Sequence, residues 1–343
     1  AKVVVDLSAA YDLTRISHPW LVTNCEWDNK LIRRAIVWLC QLTGKPILKL
    51  TYQDYIDNRL GQLLEATGQI YDMINIQVFN DLQHTISGWP GGKPNADDST
   101  RPERATPYPK RVLIFSPHPD DDVISMGGTF IRLIAQGHDV HVAYQTSGNI
   151  AVLDDIVLQT LDTARECGFV DRYNEVQEII NNKKKGEAEP IELRRLKGSI
   201  RRAEAKAACR QMGLTDPSHV HFLNLPFYET GGVKKGLLTD KDIQIVVDLL
   251  REIKPHQIYA AGDLSDPHGT HRVCIQAVLA AMEVVQDEEW VKECRLWLYR
   301  GAWQEWDLDM VDMAVPLSPD EVIQKRHAIY RHLSQKDIVP FPG

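Results

Sequence analysis

The sequence predicts an α/β fold in which a mostly parallel sheet carries helices on both faces. From residue 111 onward, short apolar runs typical of buried strands alternate with longer segments of helical character. Before residue 86, apolar residues recur three and four positions apart, as in amphipathic helices. Residues 87–110 between these parts are rich in proline and glycine, as linkers are. We therefore predict a smaller, mainly helical accessory region over 1–86, a linker over 87–110 and a Rossmann-like α/β domain over 111–343.

The individual elements follow from local patterns. Thr239 is a candidate N-cap and Gly213 a candidate C-cap for two of the predicted helices. In the accessory region, 30–40 and 52–66 have the clearest helical periodicity. In the second part, we predict strands at 111–116, 139–144, 220–225, 257–260, 295–299 and 312–315. Helices are predicted at about 127–136, 152–184, 191–212, 240–254, after 271 to about 286, and 319–333.

Composition and charge disfavour several classes of function. The apolar content of 43% and the charged content of 25% are those of an ordinary globular protein. A net charge of -8 argues against a nucleic-acid-binding surface, which needs a basic patch. No apolar stretch approaches the roughly 20 residues of a membrane span, and no signal peptide is visible. The scattered cysteines favour reduced thiols and a cytoplasmic location. The start at Ala1, without an initiator methionine, is what a segment of a longer protein would have.

The loop after the first predicted strand carries the strongest functional signal. Residues 116–122 read Ser-Pro-His-Pro-Asp-Asp-Asp and lie at the carboxyl end of a strand, where open α/β sheets bind ligands. Three adjacent carboxylates repel one another, and a divalent cation would offset that repulsion. We predict that His118 and Asp121 bind a metal and that Asp120 acts on a water bound to it. The alternative is an acidic surface turn.

A second candidate loop follows the fourth predicted strand. It contains His268-Gly-Thr-His271, again at the carboxyl end of a strand. Catalytic zinc commonly has three protein ligands and one open position, so one of these histidines would complete the set begun in the first loop. We choose His271 as the ligand and His268 as a catalytic group near the water. Asp263 or Asp266 could orient an imidazole. The alternative is an exposed turn with incidental histidines.

Other candidate residues have less support. Arg201 and Glu204 lie three apart on a predicted helix, as an ordinary surface pair would, and the functional alternative makes Arg201 a substrate-binding residue. His219 and His221 would share a face of a strand, but no acid lies in the same loop, so we interpret them as structural. Two further histidine pairs lack a converging geometry: His138 with His141, and His327 with His332.

These motifs, in this order, resemble the zinc-dependent LmbE-like N-deacetylases, a family that includes N-acetylglucosaminyl-phosphatidylinositol de-N-acetylase. The resemblance extends over about 110–335 and includes Gly-Gly-Thr at 127–129, Arg-x-x-Glu-x-x-x-Ala from 201 and the tail 325–335. It implies zinc bound by His118, Asp121 and His271, with Asp120 as general base. It also implies that His268 stabilises the oxyanion or protonates the amine.

Two regions qualify the resemblance. The family usually has glutamate where this chain has Asp122, a carboxylate that we expect beside the metal ligands, so its role stays open. Residues 1–85, with Leu-Thr-Arg at 13–15 and Pro-Trp-Leu-Val at 19–22, resemble a connecting segment of certain bacterial proteins. In those proteins a glucosamine-6-phosphate deaminase-like domain precedes the deacetylase-like one. The catalytic motifs of the deaminase are absent here.

The function implied by the resemblance is removal of an N-acetyl group from an N-acetylglucosamine derivative, free or 6-phosphorylated. Zinc is the implied cofactor, although a His/His/Asp set also accepts other divalent metals. The alternative is a non-catalytic sugar-binding or regulatory module joined to a deaminase-like protein. A nucleotide-binding domain is disfavoured because no Gly-x-Gly-x-x-Gly follows the first strand. The expected partner is a small amino sugar, and the sequence leaves the oligomeric state open.

Overall fold

The structure is a computed structural model that describes residues 27–85 and 109–336, apart from 170, 185, 233, 302–303 and 308–309. The chain divides into two compact units. One comprises Ala1–Arg101 with Trp306–Val315, and the other comprises Pro102–Glu305 with Pro316–Gly343. Almost all of the predicted linker, and the motifs at 13–15 and 19–22, lie outside the described residues. The predicted domain limits therefore stay predictions.

The first unit is helical. Helix formation over 52–66 is interrupted because Arg59 adopts a left-handed conformation with φ 60°. In the core of this unit, the Tyr55 hydroxyl donates to the Asn75 side chain at 2.7 Å, and Asn75 donates to the Leu50 carbonyl at 3.0 Å. These bonds satisfy polar groups that folding removes from water. The helices are α1 (Asn29–Thr43), α2 (Tyr52–Asp57), α3 (Gly61–Thr67) and α4 (Tyr71–His84).

The strand predicted at 312–315 is wrong. Ala314 is an isolated bridge residue whose N–H donates to the carbonyl of Thr85 within the first unit. Pro316 follows the short apolar run and has no N–H to donate, so the run cannot continue as a ladder.

The second unit is built on a parallel sheet, which confirms the predicted fold class. The strand order is β3-β2-β1-β4-β5, and all four pairings are parallel. The third strand ends earlier than predicted because Asn224 adopts a left-handed conformation with φ 47°. The strands are β1 (Arg111–Ser116), β2 (Asp139–Tyr144), β3 (Val220–Phe222), β4 (Gln257–Ala261) and β5 (Arg295–Tyr299).

Seven α-helices connect and cover these strands in the described part of the unit. The predicted caps are confirmed, with a capping box at Thr239 and a left-handed Gly213. No helix among the described residues is both long and apolar enough to cross a membrane. The helices are α5 (Asp121–Ala135), α6 (Asp154–Glu166), α7 (Tyr173–Asn181), α8 (Ile191–Met212), α9 (Asp240–Ile253), α10 (Thr270–Val285) and α11 (Pro319–Ile329).

The helices form two layers. Helices α9 and α10 pack on each other, whereas α5, α8 and α11 pack together. The main apolar core lies between the sheet and the first of these layers, where Phe115 and Ile258 of the strands meet Leu250 and Val278 of the helices. Burial of this apolar surface is the main stabilising contribution to the unit.

Helix α5 begins at Asp121, earlier than the predicted start at 127. The Gly-Gly pair instead follows a kink, because Met126 has non-helical angles (φ -131°, ψ 21°). A Cβ on Gly128 would collide with Leu317, and one on Gly127 would lie 2.9 Å from Lys325. The glycines therefore permit close packing, and Asp121 lies in the first turn of the helix.

Candidate metal centre

The two predicted loops meet at the carboxyl edge of the sheet. His118 follows β1, Asp121 is the first residue of α5, and His271 lies in the first turn of α10, after β4. Strands β1 and β4 are neighbours, and the strand order runs outward from them in both directions. Ligands of open α/β sheets bind at such a switch point. The topology therefore joins residues that are far apart in the sequence.

Asp121 lies between the two imidazoles. Its Oδ2 atom is 3.1 Å from Nδ1 of His118 and 3.2 Å from Nε2 of His271. The centroids of the two rings are 5.3 Å apart. One donor atom from each of the three residues lies within 4.8 Å of the other two, so all three can contact a single ion. The backbone N–H of His118 also donates to Asp121 Oδ2 at 2.9 Å and fixes the loop.

The chemistry of these donors fits a divalent metal. His271 is 1% exposed, and its Nε2 has the Asp121 carboxylate as a neighbour at 3.2 Å. Two imidazole nitrogens that converge on one carboxylate oxygen in a buried site are an arrangement that a metal between them would stabilise. Burial raises the pKa of Asp121, but His118 and His271 outweigh burial and hold this pKa below its ordinary value. Two imidazoles and an ionised carboxylate suit zinc and similar divalent metals.

Asp120 lies outside this donor set and is held by Arg201. It is the N-cap residue of α5, and its Oδ2 lies 3.1 Å from Nη2 of Arg201 in α8. Arg201 is 1% exposed, so the interpretation of Arg201 and Glu204 as a surface pair is wrong. The Nε and Nη1 atoms of Arg201 make no hydrogen bond within the described part of the chain. Nη1 also lies 3.7 Å from Glu204 Oε2. Substrate binding by Arg201 stays a prediction, for which a guanidinium with donors outside hydrogen bonds is suited.

Gly148 lets Arg201 reach Asp120. It has φ 65°, and a Cβ at this position would lie 2.9 Å from both Arg201 Nε and Pro119 Cδ. Only glycine adopts this positive φ without strain and has no Cβ to clash with these two atoms. No motif in the sequence singles out Gly148, and the Ser-Gly-Asn run at the end of a predicted strand is the one signal for it.

Asp122 is fully buried and points away from the donor set. Its Oδ2 accepts the Tyr144 hydroxyl at 3.0 Å, and its backbone N–H donates to Ser116 Oγ at 3.1 Å. Burial, with help from the charges of Asp120 and Asp121, raises the pKa of Asp122 to about 7. These hydrogen bonds attach the start of α5 to Ser116 of β1 and Tyr144 of β2.

The loop after β4 is fixed by Asp266. One oxygen of this buried carboxylate accepts the backbone N–H of His268 at 2.8 Å, and the other accepts that of His271 at 3.0 Å. The side chain of His268 is 58% exposed, and its Nδ1 lies 3.3 Å from Asp266. Asp263 is buried and accepts the backbone N–H of Gln304 at 3.3 Å. The roles predicted for these residues remain predictions.

His332 is a candidate that the spacing argument missed. It is 3% exposed, and within the described residues neither ring nitrogen has a hydrogen-bond partner. Burial lowers its pKa to about 4, and the charges of Asp120 and Arg201 also act on it. The nearby Ser334 donates its N–H and Oγ–H to Glu204 at 2.6 and 2.7 Å. These bonds hold the segment after α11 against α8. His332 lies within the tail 325–335 that forms part of the family resemblance, so the sequence did contain a signal for it.

Residues 113–282 match the family described as PIG-L: GlcNAc-PI de-N-acetylase. Over its whole length, the chain is 56% identical to a glucosamine-6-phosphate deaminase-like protein of Bacteroides thetaiotaomicron, over 355 aligned residues. The chain spans about half (53%) of that relative.

Two deacetylases are among the solved structures to which the chain shows some similarity. N,N'-diacetylchitobiose deacetylase from Pyrococcus horikoshii is 20% identical, with a TM-score of 0.42 over 67% of this chain and 72% of that one. A deacetylase of the teicoplanin biosynthetic pathway is 15% identical, with a TM-score of 0.38 over 66% of this chain and 82% of that one.

Proposed function

We propose that this chain, which carries a PIG-L (LmbE-like) deacetylase domain over residues 113–282, is a metal-dependent hydrolase that removes the N-acetyl group of an N-acetylglucosamine derivative. The observation that carries this proposal is the convergence of His118, Asp121 and His271, in which Nδ1 of His118 and Nε2 of the buried His271 lie 3.1 and 3.2 Å from Asp121 Oδ2. An arrangement of this kind is expected where the residues serve an ion.

His118, Asp121 and His271 would hold the metal. When bound, a divalent metal supplies Lewis acidity that polarises an amide carbonyl and lowers the pKa of water. Zinc is the metal that we propose, because three protein donors with two imidazoles are typical of catalytic zinc.

Asp120 is the proposed general base. Its carboxylate lies beside the metal ligand Asp121 in sequence but pairs with Arg201, so it keeps a defined position without belonging to the donor set. It accepts a proton from the water that adds to the acetyl carbonyl carbon. The C–N bond then breaks, the acetyl group leaves as acetate, and the nitrogen of the sugar takes up a proton as the free amine.

His268 is the proposed partner of the oxyanion or of the departing amine. Its backbone is fixed by Asp266, while its side chain is largely exposed and can reach a bound substrate. A donor placed where charge develops lowers the barrier of acyl transfer. Arg201, with donors that make no hydrogen bond to described residues, would bind an oxygen of the substrate.

The amino-sugar class of substrate is supported by the relative in Bacteroides thetaiotaomicron. Its description names a glucosamine-6-phosphate deaminase-like protein, and this chain spans 53% of it. Removal of the acetyl group from N-acetylglucosamine 6-phosphate would produce the amino sugar that such a deaminase consumes. We therefore propose that sugar phosphate, or the free sugar, as substrate and a deaminase-like domain in the longer protein.

The test is an assay of free amine and acetate released from a panel of N-acetylated amino sugars, including N-acetylglucosamine and its 6-phosphate. The full chain, loaded with zinc, should release both products in equal amounts. Asp120→Asn should lower kcat by roughly 10²–10⁴-fold with unchanged zinc content. His327 is an exposed histidine of α11, and the control variant His327→Ala should keep the wild-type kcat. Sugar binding without product release would instead support a non-catalytic module, and normal turnover in Asp120→Asn would refute the base assignment.

A further inference from the structure

A second histidine cluster lies at the other end of the sheet, on β2, on β3 and on the short 3₁₀ turn Pro217–His219 that leads into β3. The ladder between them pairs Val142 with Val220 and Ala143 with His221. The same register places His141 opposite His219. Because side chains alternate along strands, Asp139 and His141 share a face of β2. His221 lies on β3 and His219 immediately precedes that strand, and the rings of both stack on the ring of His141. Two short patterns, Asp-x-His and His-x-His, thus converge.

The distances within this cluster match those of a metal-binding set. Asp139 Oδ1 lies 3.4 Å from His141 Nε2 and 3.6 Å from His219 Nδ1. The rings of His141 and His219 stack with centroids 4.1 Å apart. Donor atoms at ~2.0–2.1 Å from a tetrahedral ion lie roughly 3.3–3.4 Å from one another. The three donors are therefore close to the spacing that one such ion requires, and all lie within 4.8 Å of one another.

The outer nitrogen of His141 has a neighbour that favours coordination. His141 Nδ1 lies 3.1 Å from His221 Nε2, which can accept its proton and leave the inner Nε2 of His141 free to bind an ion. On the outer side of His219, Nε2 lies 3.9 Å from Asp216 Oδ2, an ion-pair distance that is too long for a hydrogen bond. Asp216 is itself fixed by accepting the backbone N–H of Ser218 at 2.9 Å. Histidine ligands of metals commonly have such outer partners, which set the tautomer.

We propose that Asp139, His141 and His219 form a second metal site, which binds a divalent transition metal of the zinc class. Two imidazoles disfavour magnesium and calcium, which prefer oxygen ligands. The site lies at the amino-terminal part of β2, away from the carboxyl edge that holds His118 and His271. Its role is structural, because it joins β2 to β3, an edge strand of only three residues.

Zinc binding to the metal-free full chain tests this site directly. Titration against a chromophoric chelator should give about two zinc ions per chain, since a folded site binds its metal in addition to the first centre. His219→Gln should remove one of these equivalents and leave the other in place. His327→Ala controls for the loss of a histidine elsewhere, and circular dichroism checks that each variant is folded. An unchanged stoichiometry in His219→Gln would overturn the proposal.

The outcome is independent of the first centre and of the proposed function. His118→Ala removes a ligand of the first centre only, so zinc that remains in this variant and disappears in His118→Ala/His219→Gln belongs to the second cluster. Asp139→Asn provides a second variant with little change of volume, and it should lose the same equivalent. If both Asp139→Asn and His219→Gln retain wild-type stoichiometry, the cluster is a hydrogen-bonded group of histidines without a metal.

Discussion

The two ends of the sheet carry the same types of side chain in different structural settings. At the carboxyl edge, His118, Asp121 and His271 come from two loops and helix starts, and the imidazole of His271 is fully buried. His141 projects from β2 and His219 from the turn that leads directly into β3, and both are partly exposed. Loop residues can be repositioned around a reaction, whereas residues in a strand or directly beside one are held by the ladder. We therefore assign chemistry to the first cluster and stabilisation to the second.

The strongest way to separate the clusters is to remove His271. We expect His271→Ala to lose metal from the first centre and to lower kcat/KM by about 10³-fold or more, because Lewis acidity is worth several kcal/mol. Zinc at Asp139, His141 and His219 should be unaffected. Metal analysis combined with the amine-release assay measures both effects. Full activity in this variant would exclude His271 as a ligand.

Removing the charge of Arg201 should affect the reaction without removing a metal. Arg201→Met leaves the carboxylates of Asp120 and Glu204 without their buried partner. Loss of one partner of a buried pair costs about 3 kcal/mol, and kcat should fall because Asp120 is no longer positioned. Urea unfolding and steady-state kinetics report the two effects, and metal content should equal that of the wild type. A normal kcat would show that Asp120 needs no such support.

Gly148 offers a test of packing around the first centre. Gly148→Ala introduces a Cβ 2.9 Å from Arg201 Nε and Pro119 Cδ, in addition to strain at φ 65°. Gly168→Ala is a matched control, since Gly168 has φ 76° and no atom within 4 Å of the added Cβ. Both variants carry backbone strain of about 1 kcal/mol, and the clash should cost Gly148→Ala about 2 kcal/mol more. Equal free energies of unfolding would refute the close contact.

The smallest expected effect is at the second cluster. His221→Leu removes the acceptor for His141 Nδ1 but keeps all three proposed ligands. Outer partners of ligating histidines are worth 10–100-fold in metal affinity, and we expect about 10-fold here. Amine release should not change, because the first centre is intact. Chelator competition measures the affinity, and an unaltered value would mean that His221 does not orient His141.

The sequence predicted the parallel sheet and the placement of His118, Asp121 and His271 just after the carboxyl ends of β1 and β4, because each depends on local pattern and on a general rule for open sheets. It could not predict that His219 lies beside Asp139 and His141, since the pairing of β2 with β3 is a long-range property. The predicted start of α5 at residue 127 is too late, because the Gly-Gly pair follows a kink at Met126 and does not begin the helix.

The position of His332 also depends on contacts between distant parts of the sequence. The segment that carries it is held against α8 by hydrogen bonds from Ser334 to Glu204, which no local pattern predicts.

That returning tail has a practical consequence. The family match ends at residue 282, yet Ser334 bonds to Glu204, one helical turn from Arg201. A fragment trimmed to the matched region would keep the motifs at 116–122 and 268–271 while exposing a guanidinium that folding normally shields from water. Shortened versions of this protein should therefore extend through Gln335, and motif content alone is a poor guide to where to cut.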